Sequence, residues 1–497
     1  MNERAPLPLW WTCAIVAISA AWAVLQIPYG FGLQPFAYFD AGWALSTNDL
    51  LSEGLVPTQD FAYFYGLLTL TVDRIWFGIF GATPMAQGML CLVCAVASTH
   101  AVIRFARAAQ LQRPALWLLL VCSPLAIMPG FYPSPTHALE HALLISALAC
   151  QASGRRATAL ALATVCLFVK PTLAACYGPI LVTVILFGVR PTPASWTKRL
   201  CELVPAAIVG IAIGTLLTVQ FGVEPLWATL LPIDGARFYA SQNFGFFGAG
   251  RQFWWPEPFN ALFYFLNPAP LFLVGSLVLA LGAIRTARRG READSTLLTC
   301  ALLHFAFVFF LFGNEMSWKY YPYLLVFGLC SVVNGPLEKP LLTKLLIALA
   351  LLGQSLFTLI CAIMFFGGQL SSGPIRNEAT VGLMASSEDQ KSWAHVREIA
   401  ATDRVLVLVP VSACRVMMPE LDSPKCWYLL KPIARPAEFD RVNAQIRAAN
   451  WLVIPTGPGE RLDTWPEFAD SIAPFRVVET HSTFLLARRM EPRAMKR

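Results

Sequence analysis

The sequence predicts a polytopic α-helical membrane protein with a soluble α/β domain at its C-terminus. Of the 497 residues, 56% are hydrophobic and only 13% are charged, whereas a soluble domain carries about a quarter charged residues. Apolar runs of about 17 to 25 residues recur, which is long enough to cross a bilayer core roughly 30 Å thick. Charge is concentrated in residues 368–497, which hold 32 of the 67 charged residues. We therefore predict a membrane domain over residues 1–367 and a soluble domain over 368–497.

Hydropathy predicts eleven membrane spans. They cover residues 9–28, 86–106, 114–131, 135–152, 157–170, 172–189, 200–221, 259–284, 295–313, 321–337 and 341–366. The apolar stretch 62–81 is excluded because Asp73 and Arg74 lie at its centre. Each such charge costs about 2.5–3.5 kcal/mol on insertion scales, so we predict an interfacial helix on the outer surface.

Basic residues set the predicted orientation, because Lys and Arg are enriched on the cytoplasmic side of spans. A cytoplasmic N-terminus places 15 basic residues inside and only Arg74, Lys170, Arg237, Arg251 and Lys319 outside. This orientation creates two large outer segments, 29–85 and 222–258, and places the C-terminal domain outside the cytoplasm. The net charge of +7 then reflects membrane orientation, and we expect no nucleic-acid partner.

The C-terminal segment has an α/β pattern. "RVLVLVP" and "WLVIPTG" are typical of short buried strands, and "FRVVETHSTFLLARR" of two strands around a turn. "AEFDRVNAQIRAAN" favours a helix between the first two strands. The segment has no Gly-rich phosphate loop, which argues against nucleotide binding. Cys414 and Cys426 can form a disulfide in an oxidising compartment, and the sequence leaves their pairing open.

The first outer segment gathers carboxylates in a chain with little charge. Asp40 opens a helix-like stretch that ends at Gly54, and Asp60 follows the turn "GLVPTQ"; Asp49 and Glu53 lie between them. Two carboxylates on either side of a turn can converge on one site, and a carboxylate in a partly desolvated cleft can act as a general base. The alternative is that these acids only solvate an outer loop.

Outer basic residues form the second group of candidates. Lys170 ends the apolar run "ATVCLFVKPT", and an ionisable residue at a span end indicates a functional site unless it extends to the headgroups. Arg237 and Arg251 lie in a Gly-rich aromatic loop, and arginine suits phosphate recognition. Lys319 is a further candidate.

Residues 137–141 read His-Ala-Leu-Glu-His, the H-x-x-E-H pattern of inverted zinc peptidases. The stretch opens a predicted span and no third ligand follows it, so we do not predict a peptidase. Instead, we predict that His137, Glu140 and His141 form a polar cluster at the outer end of span four. This cluster either lines the cavity of the carboxylates or is a chance arrangement.

Residues 38–90 carry a family resemblance. "YFDAGW", then "LLSEGLVPTQDFAYFYG" and "WFGIFGATPMAQGML" resemble the first outer loop of GT-C superfamily glycosyltransferases, in particular those that use a polyprenyl-phosphate sugar donor. The resemblance implies an active site at the outer membrane surface, with Asp40 as base or acceptor ligand and Asp60 as the second carboxylate. It implies further that basic residues of the outer loops hold the lipid phosphate. Lys170, Arg237 and Arg251 are the candidates here by their position and chemistry, not by a matched motif. Leu67 stands where a proline often follows the glycine, and no Asp-Glu pair occurs, so the involvement of a divalent metal stays open.

The sequence therefore predicts an enzyme of the bacterial inner membrane that moves a sugar from a polyprenyl-phosphate donor to a cell-envelope glycan, lipid or protein, with inversion. Glu53, His137, Glu140, His141 and Lys319 join the predicted substrate-binding residues. The sequence indicates no definite cofactor, and the involvement of a divalent metal stays open. The alternatives are an O-antigen-type polymerase or ligase, a lipid-linked-sugar transporter or flippase, and a non-catalytic scaffold.

Overall fold

The computed structural model shows a mostly helical protein with a small C-terminal sheet. It describes residues 7–29, 39–127, 134–187, 196–231, 235, 268–287, 292–306, 322–334, 344–345, 347–352, 355, 359, 387–409, 420–426, 429, 433–456, 461–481 and 484–490. Within those ranges the helices are α1 (Leu9–Tyr29), α2 (Phe39–Ser52), α3 (Leu67–Phe80), α4 (Pro84–Ala108), α5 (Arg113–Ile127), α6 (Pro135–Ala152), α7 (Arg156–Val169), α8 (Pro171–Phe187), α9 (Trp196–Cys201), α10 (Val204–Phe221), α11 (Val223–Leu230), α12 (Pro268–Ala287), α13 (Glu292–Phe305), α14 (Pro322–Val333), α15 (Ser387–Ala400), α16 (Pro436–Ala448) and α17 (Ala469–Ile472).

Ten of the eleven apolar runs predicted as spans contain a described helix, and the run 341–366 lies mostly outside the described residues. The run 200–221 is α10, preceded by the short separate helix α9. Two helical stretches, Met85–Ala108 and Trp196–Phe221, have the length and apolar composition of a membrane span. Seven shorter apolar helices of 10–17 residues also lie in the described part of the chain. The eleven crossings stay a prediction.

The helical body is centred on α6 and α7. Helix α6 packs between α4, α7 and α13, and α7 also packs against α8 and α10. A buried polar network crosses this centre, because the Tyr177 hydroxyl donates to Gln151 Oε1 (2.9 Å) and Gln151 Nε2 donates to Thr299 Oγ1 (2.8 Å). Gly210 and Gly214 of α10 face Thr164 and Phe168 of α7, so a G-x-x-x-G pair lets these helices approach closely.

The first outer segment contains α2, a turn, a non-helical stretch and α3. As predicted, α2 ends just before Gly54, which has a positive φ of 82°. The predicted helix 62–81 is shorter than expected: residues 61–66 are not helical, and α3 begins at Leu67. The expectation that both of its charges lie at a surface is wrong for one of them. Arg74 is exposed, but Asp73 is buried because α3 packs against α2, α4, α6 and α7 rather than only against a membrane surface.

The C-terminal domain confirms the predicted α/β pattern. Strands β1 (Val405–Val407), β2 (Trp451–Pro455), β3 (Phe475–Thr480) and β4 (Phe484–Arg489) form one mixed sheet in the order β1-β2-β4-β3. The β1–β2 pair is parallel, and β2–β4 and β4–β3 are antiparallel. The predicted helix between the first two strands is α16. Cys426 is buried and its thiol donates to the Pro424 carbonyl (3.7 Å); Cys414 lies outside the described residues.

The C-terminal domain packs on the first outer segment. One apolar cluster joins Leu45 of α2 and Phe77 of α3 to Trp393 of α15 and to the sheet residues Val405 and Phe484. Since burial of such side chains contributes about 1.5–3 kcal/mol each, this contact is a domain interface of substantial size. It places the sheet domain directly beside the segment that carries the predicted catalytic residues.

Candidate functional site

The break between α7 and α8 places Lys170. Pro171 has no N–H and disfavours helical backbone in the preceding residue, and Lys170 accordingly has an extended backbone (φ −155°, ψ 105°). Its own N–H still closes the last turn of α7 by donating to the Cys166 carbonyl (2.8 Å). The sequence Lys-Pro therefore ends one helix, starts the next, and leaves a lysine at the junction.

Lys170 is part of a buried charged cluster with α6. Its Nζ lies 3.3 Å from Glu140 Oε2 and 3.2 Å from His137 Nδ1, and His137 Nδ1 lies 3.7 Å from Glu140 Oε2. Only 4% of Lys170 is exposed, and Glu140 is fully buried. We call these three residues the Lys170 cluster. Burying an acid and a base away from water is costly unless they are paired and hydrogen-bonded.

His141 adjoins this cluster on the next turn of α6. Its Nδ1 lies 2.9 Å from the His137 carbonyl oxygen, so that nitrogen carries the proton and donates. The imidazole packs edge-on against Tyr323 of α14, with ring centroids 5.0 Å apart. The structure thus brings His137 and Glu140 together with Lys170, a residue selected separately from the sequence, and places His141 beside them. Their position at the outer end of a span stays a prediction.

The non-helical stretch 61–66 covers the Lys170 cluster from the side of the first outer segment. The Gly66 N–H donates to the Val169 carbonyl (2.9 Å), and Thr69 Oγ1 donates to the same oxygen (3.3 Å). The Tyr65 ring centroid lies 5.6 Å from Lys170 Nζ and 5.9 Å from the His137 ring, and the ring also packs on Trp43. An aromatic face near a cation adds electrostatic attraction.

Gly66 is required at this contact by space rather than by backbone angles. Its φ of −72° suits any residue, but a Cβ there would lie 2.0 Å from the Phe168 carbonyl oxygen and 2.8 Å from the Val169 carbonyl carbon. The "YFYG" sequence therefore joins the first outer segment to the end of α7. Sequence reasoning used this motif for the family resemblance only and did not single out Tyr65 or Gly66.

The predicted acids of the first outer segment occupy different places. Asp60 Oδ2 accepts a hydrogen bond from the Val56 N–H (2.7 Å), which closes the turn around Thr58, a residue with a positive φ of 68°. Glu53 Oε2 forms an ion pair with Lys425 of the C-terminal domain (2.8 Å). Their described contacts are thus with the turn and with the sheet domain, whereas the Lys170 cluster contains Glu140. Asp40 lies in the first turn of α2, and its side chain is outside the described atoms.

Arg237, Arg251 and Lys319 lie outside the described residues. In the part of the chain that is described, no group of three or more His, Cys, Asp or Glu side chains is arranged to hold a metal ion. The H-x-x-E-H residues do not form such a group, because Glu140 faces Lys170.

Asp73 is a buried acid that sequence reasoning treated only as a charge. It is 2% exposed, its Oδ1 has no hydrogen-bond partner among the described residues, and desolvation raises its carboxyl pKa well above the ordinary value.

Glu438 of α16 is a second buried acid that the sequence analysis did not identify. Its Oε2 accepts from the Ala62 N–H (3.1 Å) and the Arg435 N–H (2.8 Å), and burial raises its pKa to about 7 against the opposing effect of these two hydrogen bonds.

No protein-family model matches the chain, and no curated protein matches it. The GT-C likeness of residues 38–90 stays a resemblance carried by the quoted motifs.

Proposed function

We propose that the protein is an integral-membrane glycosyltransferase that moves a sugar from a polyprenyl-phosphate donor to a cell-envelope acceptor, with Lys170 as a ligand of the lipid phosphate. The observation that carries the proposal is the position of the Lys170 cluster. A buried lysine, chosen from the sequence as a phosphate ligand, lies directly beneath the Tyr-Gly motif that carries the family resemblance.

The domain contacts support the proposed membrane orientation. Glu53 contacts Lys425, and Ala62 contacts Glu438, so residues 53–62 and the sheet domain lie on the same side of a membrane. The chain between them must then cross an even number of times. The predicted spans between residues 86 and 366 number ten, which satisfies this condition.

The proposed chemistry is a direct displacement at the anomeric carbon. An acceptor hydroxyl attacks this carbon while the bond to the phosphate oxygen breaks, and the phosphate leaves with the bonding electrons. Asp40 accepts the hydroxyl proton as general base, and the configuration inverts. Lys170 stabilises the charge that develops on the leaving phosphate, which is most effective where water is excluded.

Lys170 is 4% exposed, so phosphate binding requires part of its cover to move. Of the groups that cover Lys170, the Tyr65 side chain can move most easily, because the backbone at Gly66 is held against α7 by its hydrogen bond to the Val169 carbonyl. We expect the Tyr65 ring to swing away when the donor phosphate approaches. Glu140 and His137 would then hold the lysine ammonium in place for the incoming anion.

A transporter is the second candidate, because buried Lys, Glu and His side chains in a membrane protein also form proton relays. Transporter sites lie near the midplane, at helices that are interrupted within the bilayer. The Lys170 cluster instead lies in the first two turns of α6 and at the junction of α7 and α8, which are ends of predicted spans. This position favours the transferase over the transporter, and the acids of the first outer segment favour it over an O-antigen-type polymerase or ligase.

The test is release of free lipid phosphate from a panel of polyprenyl-phosphate sugars by the full-length protein in nanodiscs, with a crude envelope extract as acceptor. We expect turnover by the wild type and loss of turnover in Asp40→Asn and Lys170→Met, with unfolding temperatures recorded for each. Lys198→Met is the matched control, because Lys198 is an exposed lysine of α9 on the predicted cytoplasmic side. No turnover of any donor by the wild type contradicts the proposal, and full activity of Lys170→Met contradicts the role of the lysine.

A further inference from the structure

Glu438 makes one contact that helix capping does not explain. It is the third residue of α16, and its Oε2 accepts from the Arg435 N–H, the usual task of a glutamate at this position. The same oxygen also accepts from the Ala62 N–H, in the first outer segment 376 residues away in sequence. Glu438 is fully buried, so this second bond is made inside the domain interface.

The Ala62 hydrogen bond is one of two backbone contacts that hold the non-helical stretch 61–66. The other is the Gly66 N–H, which donates to the Val169 carbonyl at the end of α7. Between these two contacts lies Tyr65, whose ring covers Lys170. The C-terminal domain and α7 therefore hold opposite ends of the same short stretch of backbone.

Neighbouring contacts maintain the approach of α16. The Arg441 guanidinium donates from Nη2 to the Asp60 carbonyl, and Lys425 pairs with Glu53. Ile433, just before α16, packs in the apolar cluster that contains Phe61. The side of α16 that carries Glu438 is thus fixed on the first outer segment by polar and apolar contacts together.

We propose that Glu438 is a positioning residue of the proposed active site, by which the C-terminal domain holds the backbone of residues 61–66 beside the Lys170 cluster. The inference rests on the proposed function. With both ends of the stretch fixed, the Tyr65 ring can move for the donor phosphate while the backbone keeps its register. Release of the Ala62 end admits water around Lys170, which weakens the effect of the ammonium on the leaving phosphate.

The test compares Glu438→Ala, Glu438→Gln and the control Asp440→Ala in the full-length protein in nanodiscs. Asp440 is an exposed carboxylate two residues further along α16. Two quantities are measured: kcat and KM for the polyprenyl-phosphate sugar, and the rate of hydrogen exchange in peptides that cover residues 58–66. The second measurement requires no activity.

We expect Glu438→Ala to lower kcat roughly tenfold with a smaller change in KM, because the loss falls on the transition state, and to speed exchange at residues 58–66. Glu438→Gln keeps an oxygen that accepts from the Ala62 N–H, so it should restore most of kcat. Asp440→Ala should change neither quantity. A residue that only caps α16 would lower stability without changing exchange at residues 58–66.

The two proposals fail in different ways. If the wild type turns over no donor, the proposed function fails, and unchanged exchange in Glu438→Ala then overturns the anchoring as well. If the wild type is active and Glu438→Ala speeds exchange but keeps or raises kcat, the positioning role is overturned while the proposed function stands.

Discussion

Gly66→Ala is the sharpest test of the contact between the first outer segment and α7. The added Cβ would lie 2.0 Å from the Phe168 carbonyl oxygen and 2.3 Å from its carbonyl carbon. An ordinary contact of this kind needs about 3.4 Å, so the two backbones must separate by roughly 1.4 Å. The neighbouring atoms are backbone atoms in the last turn of a helix, which cannot rotate away as a side chain does.

The separation also removes a hydrogen bond. The Gly66 N–H lies 2.9 Å from the Val169 oxygen, and an added 1.4 Å takes this distance well beyond hydrogen-bonding range. Overpacking costs about 1–3 kcal/mol, and an unsatisfied buried N–H costs about 1–3 kcal/mol. The gain from a stiffer unfolded chain is only about 0.4–1 kcal/mol. We expect a net destabilisation of about 2–4 kcal/mol, together with loss of donor turnover, because Tyr65 is displaced from Lys170.

The assay is thermal unfolding in detergent, followed by lipid-phosphate release at a temperature where the variant is folded. Gly78→Ala is the matched control, since Gly78 lies in the same helix that follows Gly66 and a Cβ there meets nothing within 4 Å. That substitution should be neutral or stabilising, because alanine is the better helix former. If Gly66→Ala is as stable and active as Gly78→Ala, the close contact of the segment with α7 is refuted.

Three further substitutions test other buried or paired charges of the structure. Glu140→Gln or Lys170→Met alone should destabilise the folded protein by about 3–5 kcal/mol, because each leaves one buried charge uncompensated. The double variant should recover most of that loss. Additive effects of the two substitutions in a double-mutant cycle of unfolding temperatures would contradict the pairing. The raised pKa keeps Asp73 protonated in the folded protein, while the unfolded chain releases the proton as pH rises above about 4. Asp73→Asn should therefore become increasingly stabilising relative to the wild type, by up to roughly 1.4 kcal/mol per pH unit. A stability difference between variant and wild type that does not change with pH refutes this. Glu53→Lys should weaken the contact between the C-terminal domain and the first outer segment, and this is detected as faster proteolysis between the domains. Lys425→Glu in the same chain should restore the slower proteolysis. The effect on the free energy of unfolding should stay within about 1 kcal/mol, because both side chains are partly exposed.

Most helices of the fold follow from local sequence, but the relation between the segments does not. The break at Lys170-Pro171, the end of α2 before Gly54 and the four strands of the C-terminal sheet each depend on residues within one or two turns, and each agrees with the structure. Residues 62–66 were predicted as part of a helix because their side chains are apolar and aromatic. They are not helical, and the N–H groups of Ala62 and Gly66 donate to Glu438 and Val169, contacts that no local pattern contains.

The candidate site was predictable in its residue types and only partly in its grouping. Lys170 and the His137–Glu140–His141 stretch were selected independently, one as a phosphate ligand and the other as a polar cluster at a span end. Their contact depends on how α6 packs against α7, which hydropathy does not specify. Glu438 carried no signal, because a glutamate at the third position of a helix is an ordinary capping residue. Ala62 and Glu438 are 376 residues apart in sequence, so no sequence motif contains both residues.

The two kinds of acid near the site differ in what their burial requires. Asp60 Oδ2 accepts from a backbone N–H and Glu53 Oε2 pairs with a partly exposed lysine, arrangements that need no ligand to explain them. Glu140 is fully buried, with its Oε2 3.3 Å from Lys170 Nζ, and replacing such a buried pair by apolar residues is often neutral or stabilising. Stability therefore gives little reason for Lys170 and Glu140 to be present. Binding of a charged group at this junction gives a direct one, and it is the reason why the lysine rather than the more numerous carboxylates is the centre of the proposed site.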